Sequence, residues 1–594
     1  MCGIVGYIGE KQAQTVVLNC LRKLEYRGYD SCGIAVAGGA LDVYKDAIRV
    51  EALGKASPRF RGTVGIGHTR WATHGIPSQV NAHPHLDCTG NIAVVHNGII
   101  TNYQALRRQL TKEGHDFLSE TDTEVLPHLI EKYYDGNLEK AVEAALRDIE
   151  GSYAIIVLKA GESKLVVARK DSPLIIGVGD RESFIASDVP AVLDYTGRVI
   201  YLEDGDMGVI TRDETRFKSN GGKVKRDEQK ILWSVEEAQK AGYEHFMLKE
   251  IHEQPRVIRN TLGEYIQTTE PVVDPVGLRA AGTESVLILA CGTSHHASMV
   301  GKYLMEELLG LPVRAEFASE FNYHSYIPPK TMAIAITQSG ETADTLKAMK
   351  KVKEAGCRVV AITNVVGSTA SRIANHTIYT RAGPEISVAA TKSFLAQLMV
   401  LYWLAISYSR ADARRVAGLL LELRQLPSKV QQVIDDEAKI MEYAKYLAKF
   451  ENVFYISRGI NLPIALEGAL KLKEVSYIHA EGYAAGEIKH GPFALLSSAT
   501  PVIAIVARDN SYEATLTSIK EIKARGSPML VLAEAGDEDI EELADFVITM
   551  PKVDALFSPV VNTVALQLLA YYTAKERGLP IDFPRNLAKS VTVE

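Results

Sequence analysis

The chain has 594 residues, too many for one hydrophobic core; at roughly 100–200 residues per domain this predicts three or four domains. Hydrophobic residues make up 46% and charged residues 23%, the balance of an ordinary globular protein. The formal net charge of −7 argues against a nucleic-acid binder or a protein drawn to anionic membranes, so an anionic substrate must be held locally by backbone amides and a few cations.

Cys2 comes first in chain order. Removal of Met1 would leave a thiol, titrating near pH ~8.5, and a free α-amine, titrating near ~7.7–8.0, on one residue: a nucleophile with its own base. The structural alternative is a small buried cysteine opening an edge strand. β-like runs at residues 3–8, 33–36, 64–68, 92–96, 153–159, 165–169 and 207–211 are interrupted by helical patterns at 11–24 and 101–113. They predict an α+β layered domain over residues 1–232. Thr121-Asp-Thr-Glu124 reads as a helix capping box before an apolar run. Residues 233–275 turn helical and charged around Phe246-Met-Leu-Lys-Glu-Ile251 and predict a connector.

From about residue 280 the pattern becomes strand–helix alternation, twice. Ser285-Val-Leu-Ile-Leu-Ala-Cys-Gly292 matches Asn452-Val-Phe-Tyr-Ile-Ser-Arg-Gly459; Met332-Ala-Ile-Ala-Ile-Thr337 matches Pro501-Val-Ile-Ala-Ile-Val506; Arg358-Val-Val-Ala-Ile-Thr363 matches Pro528-Met-Leu-Val-Leu-Ala533. The near-constant offset predicts a duplicated α/β domain with parallel sheets covered by helices, over residues 276–420 and 449–583, joined by a helical connector at 421–448. The apolar stretch 394–406 is broken by Gln397 and too short for a membrane span, so it predicts a buried helix. Residues 584–594 form a tail that Pro580 and Pro584 keep from becoming helix.

The first copy carries Gln338-Ser-Gly-Glu-Thr342 at a strand-to-helix turn, and Cys291-Gly-Thr-Ser294 at the neighbouring one. Backbone amides and hydroxyls converging there predict phosphate binding at a helix N-terminus, although Ser339 or Thr342 could simply cap a helix. The second copy has Asp509 at the equivalent turn, where it would repel phosphate, and instead offers Lys471, Glu474, Glu487, Lys489 and His490. Copy one is therefore expected to hold the phosphate and copy two to supply acid–base groups. Six cysteines (Cys2, Cys20, Cys32, Cys88, Cys291 and Cys357) form no Cys-x-x-Cys pair and read as reduced thiols of a cytoplasmic protein. No secretory signal is visible. The histidines at 68, 74, 83, 85 and 96 lack zinc-site spacing, so neither a metal nor a cofactor is expected.

Seven blocks in order carry a resemblance: Cys2-Gly-Ile-Val-Gly-Tyr7, Leu24-Glu-Tyr-Arg-Gly-Tyr-Asp-Ser31, Gly67-His-Thr-Arg-Trp-Ala-Thr-His-Gly75, His96-Asn-Gly98, Gln338-Ser-Gly-Glu-Thr342, Ala484-Ala-Gly-Glu-Ile-Lys-His-Gly-Pro492 and Asn586-Leu-Ala-Lys-Ser-Val-Thr-Val-Glu594. Over essentially its whole length the chain resembles the isomerising glutamine–fructose-6-phosphate aminotransferases: an N-terminal-nucleophile glutaminase domain, two sugar-isomerase (SIS) domains and a catalytic tail. The resemblance implies that L-glutamine and fructose 6-phosphate are the substrates. Cys2 would form a γ-glutamyl thioester, with Asn97 and the Gly98 amide as oxyanion hole. Arg70 would clamp the glutamine carboxylate and Asp122 its ammonium, while Thr73 and His74 would shape the glutamine lid. Trp71 would gate an ammonia channel.

For the sugar, the resemblance implies ring opening by His490 and proton transfer between C1 and C2 by Glu474. Lys589 would form a Schiff base with the C2 carbonyl or polarise it. Cys291, Gly292, Thr293, Ser294, Thr337, Gln338, Ser339, Thr342, Val388, Lys471 and Ala588 would bind the sugar phosphate. Thr337 stands where serine is usual, and alanine occupies position 390. The resemblance also implies a homodimer or larger assembly, with His490 able to act across to the other subunit, and no nucleic-acid or membrane partner. A sugar-phosphate sensor built from SIS domains, or an amidotransferase acting on another phosphosugar, are the alternative readings.

Overall fold

The structure, a computed structural model, describes residues 2–72, 74–219, 221–231, 240–266, 274–279, 281–323 and 326–592. The chain divides into two units, one of Met1–Ala238 with Ala588–Glu594, the other of Gln239–Leu587.

In the first unit, an eight-stranded sheet containing Gly3–Ile8, Ser31–Ala37 and Val64–Arg70 lies against a seven-stranded sheet built around Ile92–Ile100, Gly151–Lys159 and Leu165–Lys170. Successive side chains on a strand point to opposite faces, and this decides which layer each joins. Ala93, Val95, Ala154, Ile156 and Leu158 meet Ile4, Ile8 and Ile66 between the sheets. Ile92, Val94, Ile155 and Val157 face outward and pack on helices Tyr103–Lys112, Val125–Tyr133 and Leu138–Asp148. Helix Ala13–Arg22 covers the other sheet so closely that a Cβ on Gly67 would lie 2.5 Å from Val17. The α+β layering is therefore as expected.

The capping-box reading pointed to a helix start before Val125–Tyr133, but the extent of that helix and helix Leu138–Asp148 were not legible. Pro127 reads as a breaker in sequence, yet it sits in a first turn, where a missing N–H costs nothing. The capping-box reading is corrected by the same helix. Its N-cap is Glu124, which makes no side-chain cap. The Glu124 carboxylate instead accepts the amides of Leu118 and Ser119 at 2.8 and 2.7 Å, tying the incoming loop to the helix start.

The second unit holds two five-stranded parallel sheets of identical order. The first runs Val313–Phe317, Ser285–Ala290, Thr331–Thr337, Arg358–Thr363, His376–Tyr379; the second runs His479–Ala484, Asn452–Ser457, Val502–Ile505, Met529–Glu534, Phe546–Met550. The duplication thus extends to topology. Each sheet sends one face into a shared core, through Val286, Ile288 and Ile334 from one and Tyr455, Ile503 and Leu532 from the other. Each keeps a separate core on its opposite face, around Leu289 and Ala333 in one and Ile456 and Ala504 in the other. Helix Phe246–His252 of the expected connector contributes Met247 and Ile251 to the shared core, and Asp582 accepts its first two amides at 3.0 Å.

Helix Lys392–Ser407, expected from the apolar stretch, is buried along its whole length. Segment Ala555–Glu576 is long and apolar enough to cross a membrane, but 94% of its apolar window is buried inside the protein, as a core helix would be.

Candidate active sites

Cys2 sits one residue before strand Gly3–Ile8, whose neighbour Val64–Arg70 delivers Arg70 and Trp71 to the same end. The Trp71 amide approaches Cys2 Sγ at 3.4 Å, and Asn97 Nδ2 donates to the Cys2 carbonyl at 2.9 Å. Burial pushes the Cys2 thiol up, while the Trp71 amide and the Arg70 guanidinium pull it back toward the thiolate. Gly98 follows Asn97 with φ 134°, and a Cβ there would overlap the Ser152 carbonyl, so only glycine leaves this amide in place.

Arg70 is anchored through Nη2, which donates to the carbonyls of His74 and Gly75. Among the described residues its buried Nη1 has no hydrogen-bond partner, the state expected of a donor reserved for a substrate carboxylate. Asp122 spends one oxygen on the Ile100 amide at 2.8 Å and lies 3.9 Å from His74 Nδ1 through the other. The structure therefore brings Cys2, Asn97 and Gly98 together, sets Trp71 against the thiol, and holds Arg70, His74 and Asp122 beside one another. Thr73 lies outside the described residues.

His68 is the group sequence reasoning missed. Its Nε2 lies 3.0 Å from the His96 carbonyl and 3.1 Å from Asn97 Oδ1. Both partners are acceptors, so Nε2 carries the proton, and the Asn97 amide is held with its NH₂ toward Cys2. Burial drives the His68 pKa down to about 3, so the ring stays neutral. We expect His68→Ala to lower kcat for glutamine hydrolysis by about 10²-fold, the cost of a misdirected oxyanion donor, with a smaller change in KM. Equal kcat in variant and parent, from glutamate release, would remove His68 from this role.

His83, His85 and His96 are likewise buried with depressed pKa values, chiefly through desolvation. The unfolded chain binds protons at these rings below about pH 6.5, whereas the folded unit does not. Stability is therefore lost as pH falls through the unfolded value. At pH 5 each ring costs up to about 2 kcal/mol. Calorimetry from pH 7.5 to 5 should show the N-terminal unit melting progressively earlier; a flat melting temperature would contradict this.

In the second unit strand Ser285–Ala290 lies beside Thr331–Thr337, and Asn452–Ser457 beside Val502–Ile505, where the strand order reverses and ligands of open α/β sheets sit. In the first copy Ala290 pairs with Ile336, so Cys291 and the turn Thr337–Thr342 leave neighbouring strand ends, and Cys291 Sγ lies 3.7 Å from Thr345 Oγ1 of the following helix. Thr337 Oγ1 accepts the Gly340 amide at 3.2 Å and lies 3.1 Å from Thr342 Oγ1; Ser339 Oγ accepts the Glu341 amide at 3.1 Å. Thr342 is the N-cap of helix Ala343–Glu354, yet its side chain makes no cap bond and pairs with Thr337 Oγ1 instead, so the helix-cap reading of this hydroxyl does not hold. Gly340 has φ 70° and passes so close to Ser368 that a Cβ would collide with its hydroxyl. In the second copy, Asp509 closes on its own turn, accepting the Ser511 amide and hydroxyl at 2.8 and 2.6 Å.

Helix Leu462–Ser476 brings Lys471 to the same first-copy turn. Its ammonium donates to Thr293 Oγ1 at 3.0 Å and to Glu474 at 2.5 Å, and lies 3.5 Å from Glu467. Burial works to discharge Lys471, but the two carboxylates outweigh it and hold the ammonium charged. Glu467, which sequence reasoning did not select, also accepts from Thr293 at 3.0 Å and contacts His296 Nδ1 at 2.7 Å. It stands one turn before Lys471 on the same helix face, which was the available signal.

The remaining expected residues are less gathered. His490 ends the short turn Ile488–His490 with its side chain exposed. The amide of Val388 donates to the Asp582 carbonyl at 3.1 Å. Ala588 and Lys589 belong to the N-terminal unit, whereas Glu474 and Lys471 belong to the other.

A glutamine amidotransferase domain model matches residues 68–194, and the SIS domain model matches 281–407 and 446–577. The chain is 48% identical over 608 aligned residues to the isomerizing glutamine–fructose-6-phosphate aminotransferase of Caldanaerobacter subterraneus subsp. tengcongensis, and 49% over 619 to that of Methanosarcina mazei. Both alignments cover 100% of this chain and of the relative. Among solved structures, the C-terminal domain of glucosamine-fructose-6-phosphate aminotransferase from Francisella tularensis is similar with TM-score 0.55 and 35% identity, covering 58% of this chain and 99% of that one.

Proposed function

The chain belongs to the isomerising glutamine–fructose-6-phosphate aminotransferases, and we propose that it moves the amide nitrogen of L-glutamine onto fructose 6-phosphate, yielding glucosamine 6-phosphate and L-glutamate. With Met1 removed, Cys2 attacks the glutamine amide while the freed α-amine takes the thiol proton. Charge on the tetrahedral oxygen is met by Asn97 Nδ2 and the Gly98 amide. Arg70 Nη1 receives the α-carboxylate, Asp122 the α-ammonium, and Thr73 and His74 take the lid role that the family resemblance gives them. The ammonia released passes inside the protein, with Trp71 as its gate; confinement replaces dilution by a high effective concentration.

At the sugar, amides and hydroxyls of residues 291–294 and 337–342 receive the phosphate, aided by the N-terminus of helix Ala343–Glu354. Lys471 and Val388 order the substrate, and the family resemblance adds Ala588 to its binding residues. His490 opens the ring, Lys589 engages the C2 carbonyl, and Glu474 carries the proton from C1 to C2. The exposure of His490 supports service to a second subunit, and so a homodimer; light scattering of the purified chain checks the mass. Free cysteines throughout support a reducing, cytoplasmic setting.

The observation that carries the reading is the Asn97 amide held at Cys2 by His68, beside the unpartnered Arg70 Nη1. A phosphosugar sensor or plain isomerase has no use for it. Supplied with glutamine and fructose 6-phosphate, the protein should form glutamate and amino sugar phosphate in equal amounts. Glutamate without amino sugar would point to another acceptor, and neither product to a sensor. Lys589→Ala is expected to spare glutamine hydrolysis and lose amino-sugar synthesis; unchanged synthesis would show the tail to be inert.

A further inference from the structure

Away from both sites, the N-terminal unit gathers four donors of mixed softness. Cys88 comes from the turn between strands His85–Leu86 and Ile92–Ile100, His115 from the loop after helix Tyr103–Lys112, and His128 and Glu131 from one face of helix Val125–Tyr133. Their ligand atoms all lie within 4.8 Å of one another. Cys88 Sγ is 3.6 Å from His115 Nδ1 and 3.4 Å from His128 Nδ1; Glu131 Oε2 is 3.0 Å from His115 Nδ1 and 3.5 Å from His128 Nδ1. A tetrahedral zinc ion with bonds of about 2.0–2.3 Å requires ligand atoms roughly 3.3–3.6 Å apart. Four measured edges already approach that tetrahedron.

We propose that Cys88, His115, His128 and Glu131 bind one divalent transition-metal ion, with zinc the best match. One thiolate, two imidazoles and one carboxylate form a donor set that zinc accepts and that calcium or magnesium, which require oxygen, do not. Binding replaces the thiol proton of Cys88, which leaves to solvent; the two imidazoles bind neutral through Nδ1 with their protons on Nε2, and no electron is transferred. The resulting centre carries no net charge beyond its neutral imidazoles.

Several features favour a built site over a chance hydrogen-bonded cluster. All polar contacts of the buried His128 ring are made through Nδ1, the atom facing the other three donors. Phe117 packs on that ring at 4.5 Å between centroids and fixes its direction. Cys88 and His128 also line a cavity of about 810 Å³, which gives an ion a path in. The ion would staple the Cys88 turn and the His115 loop to the helix that begins three residues after Asp122. Its effect is on the rigidity of that helix, apart from the chemistry at Cys2.

The test uses the full chain, stripped with chelator and titrated with cobalt(II). One equivalent should produce a thiolate-to-cobalt charge-transfer band with intense tetrahedral visible bands, and zinc should abolish both. Cys88→Ser should remove the charge-transfer band, whereas Cys2→Ala should keep it, which separates the two thiols. Glu131→Gln, which preserves shape, should weaken zinc binding at least tenfold with an unchanged circular dichroism spectrum. Zinc should raise the melting temperature of the parent and leave that of Cys88→Ser unmoved. A band that survives Cys88→Ser, or no band in a parent that is folded by circular dichroism, would overturn the site. These readouts are independent of amino-sugar synthesis.

Discussion

Cys2→Ala is expected to abolish glutamine hydrolysis, by at least about 10⁴-fold, while leaving fructose 6-phosphate isomerisation measurable. The large effect follows from chemistry: no other group at this site supplies a sulfur nucleophile, and the oxyanion donors at Asn97 and Gly98 have nothing to stabilise without it. The fold should survive, because Cys2 Sγ contributes only long contacts to the Trp71 backbone, at 3.4 and 3.6 Å. Glutamate release measured on the variant decides the matter, and retained hydrolysis would place the nucleophile elsewhere. The same reasoning requires a free α-amine on Cys2. Intact mass of the active protein should lack the initiator methionine; full turnover by a chain that keeps it would contradict the amine's role as base.

Glu474→Gln is expected to leave glutamine hydrolysis near the parent rate and to cut amino-sugar formation by about 10³-fold, within the range for loss of a positioned general base. The amide keeps the shape of the side chain but cannot take the proton from C1 for delivery to C2. Lys471 remains ion-paired, since Glu467 lies 3.5 Å from its ammonium. The affinity for sugar phosphate should therefore change little, and the loss should fall on kcat. Solvent-deuterium exchange into the hexose phosphate gives the same readout without nitrogen transfer. Undiminished exchange would assign the proton shuttle to another group. Lys471→Ala should behave differently: it strands the buried Glu467 and the half-buried Glu474, and is expected to lower both stability and substrate affinity.

Much of this was legible before any coordinates. Strand Gly3–Ile8, the duplicated α/β halves and the buried helix Lys392–Ser407 follow from apolar periodicity, because continuous runs and fixed offsets survive tertiary packing. Cys2 and the Thr337–Thr342 turn stood out because special chemistry or special backbone leaves local marks, whereas Asn97 and Gly98 entered only through the family resemblance. What was not legible depends on contacts between distant segments. Nothing near His68 says that its ring points at Asn97 rather than at a metal. Glu467 looks like an ordinary helical carboxylate until Thr293 and His296 from the first copy arrive beside it. Cys88, His115 and the pair His128 and Glu131 belong to three segments, so no spacing rule would group them. Glu124 gave a misleading signal for the converse reason: its pattern fits a local cap, but its carboxylate serves the amides of Leu118 and Ser119 instead.

The account rests on nitrogen passing directly from the Cys2 site to the ketose. Glutamine labelled with ¹⁵N at the amide, given with fructose 6-phosphate in a large excess of unlabelled ammonium, tests this by mass spectrometry of the amino sugar. The account predicts product carrying the glutamine label undiluted, with one glutamate per amino sugar. Product nitrogen diluted to the isotopic ratio of the bulk ammonium would contradict it.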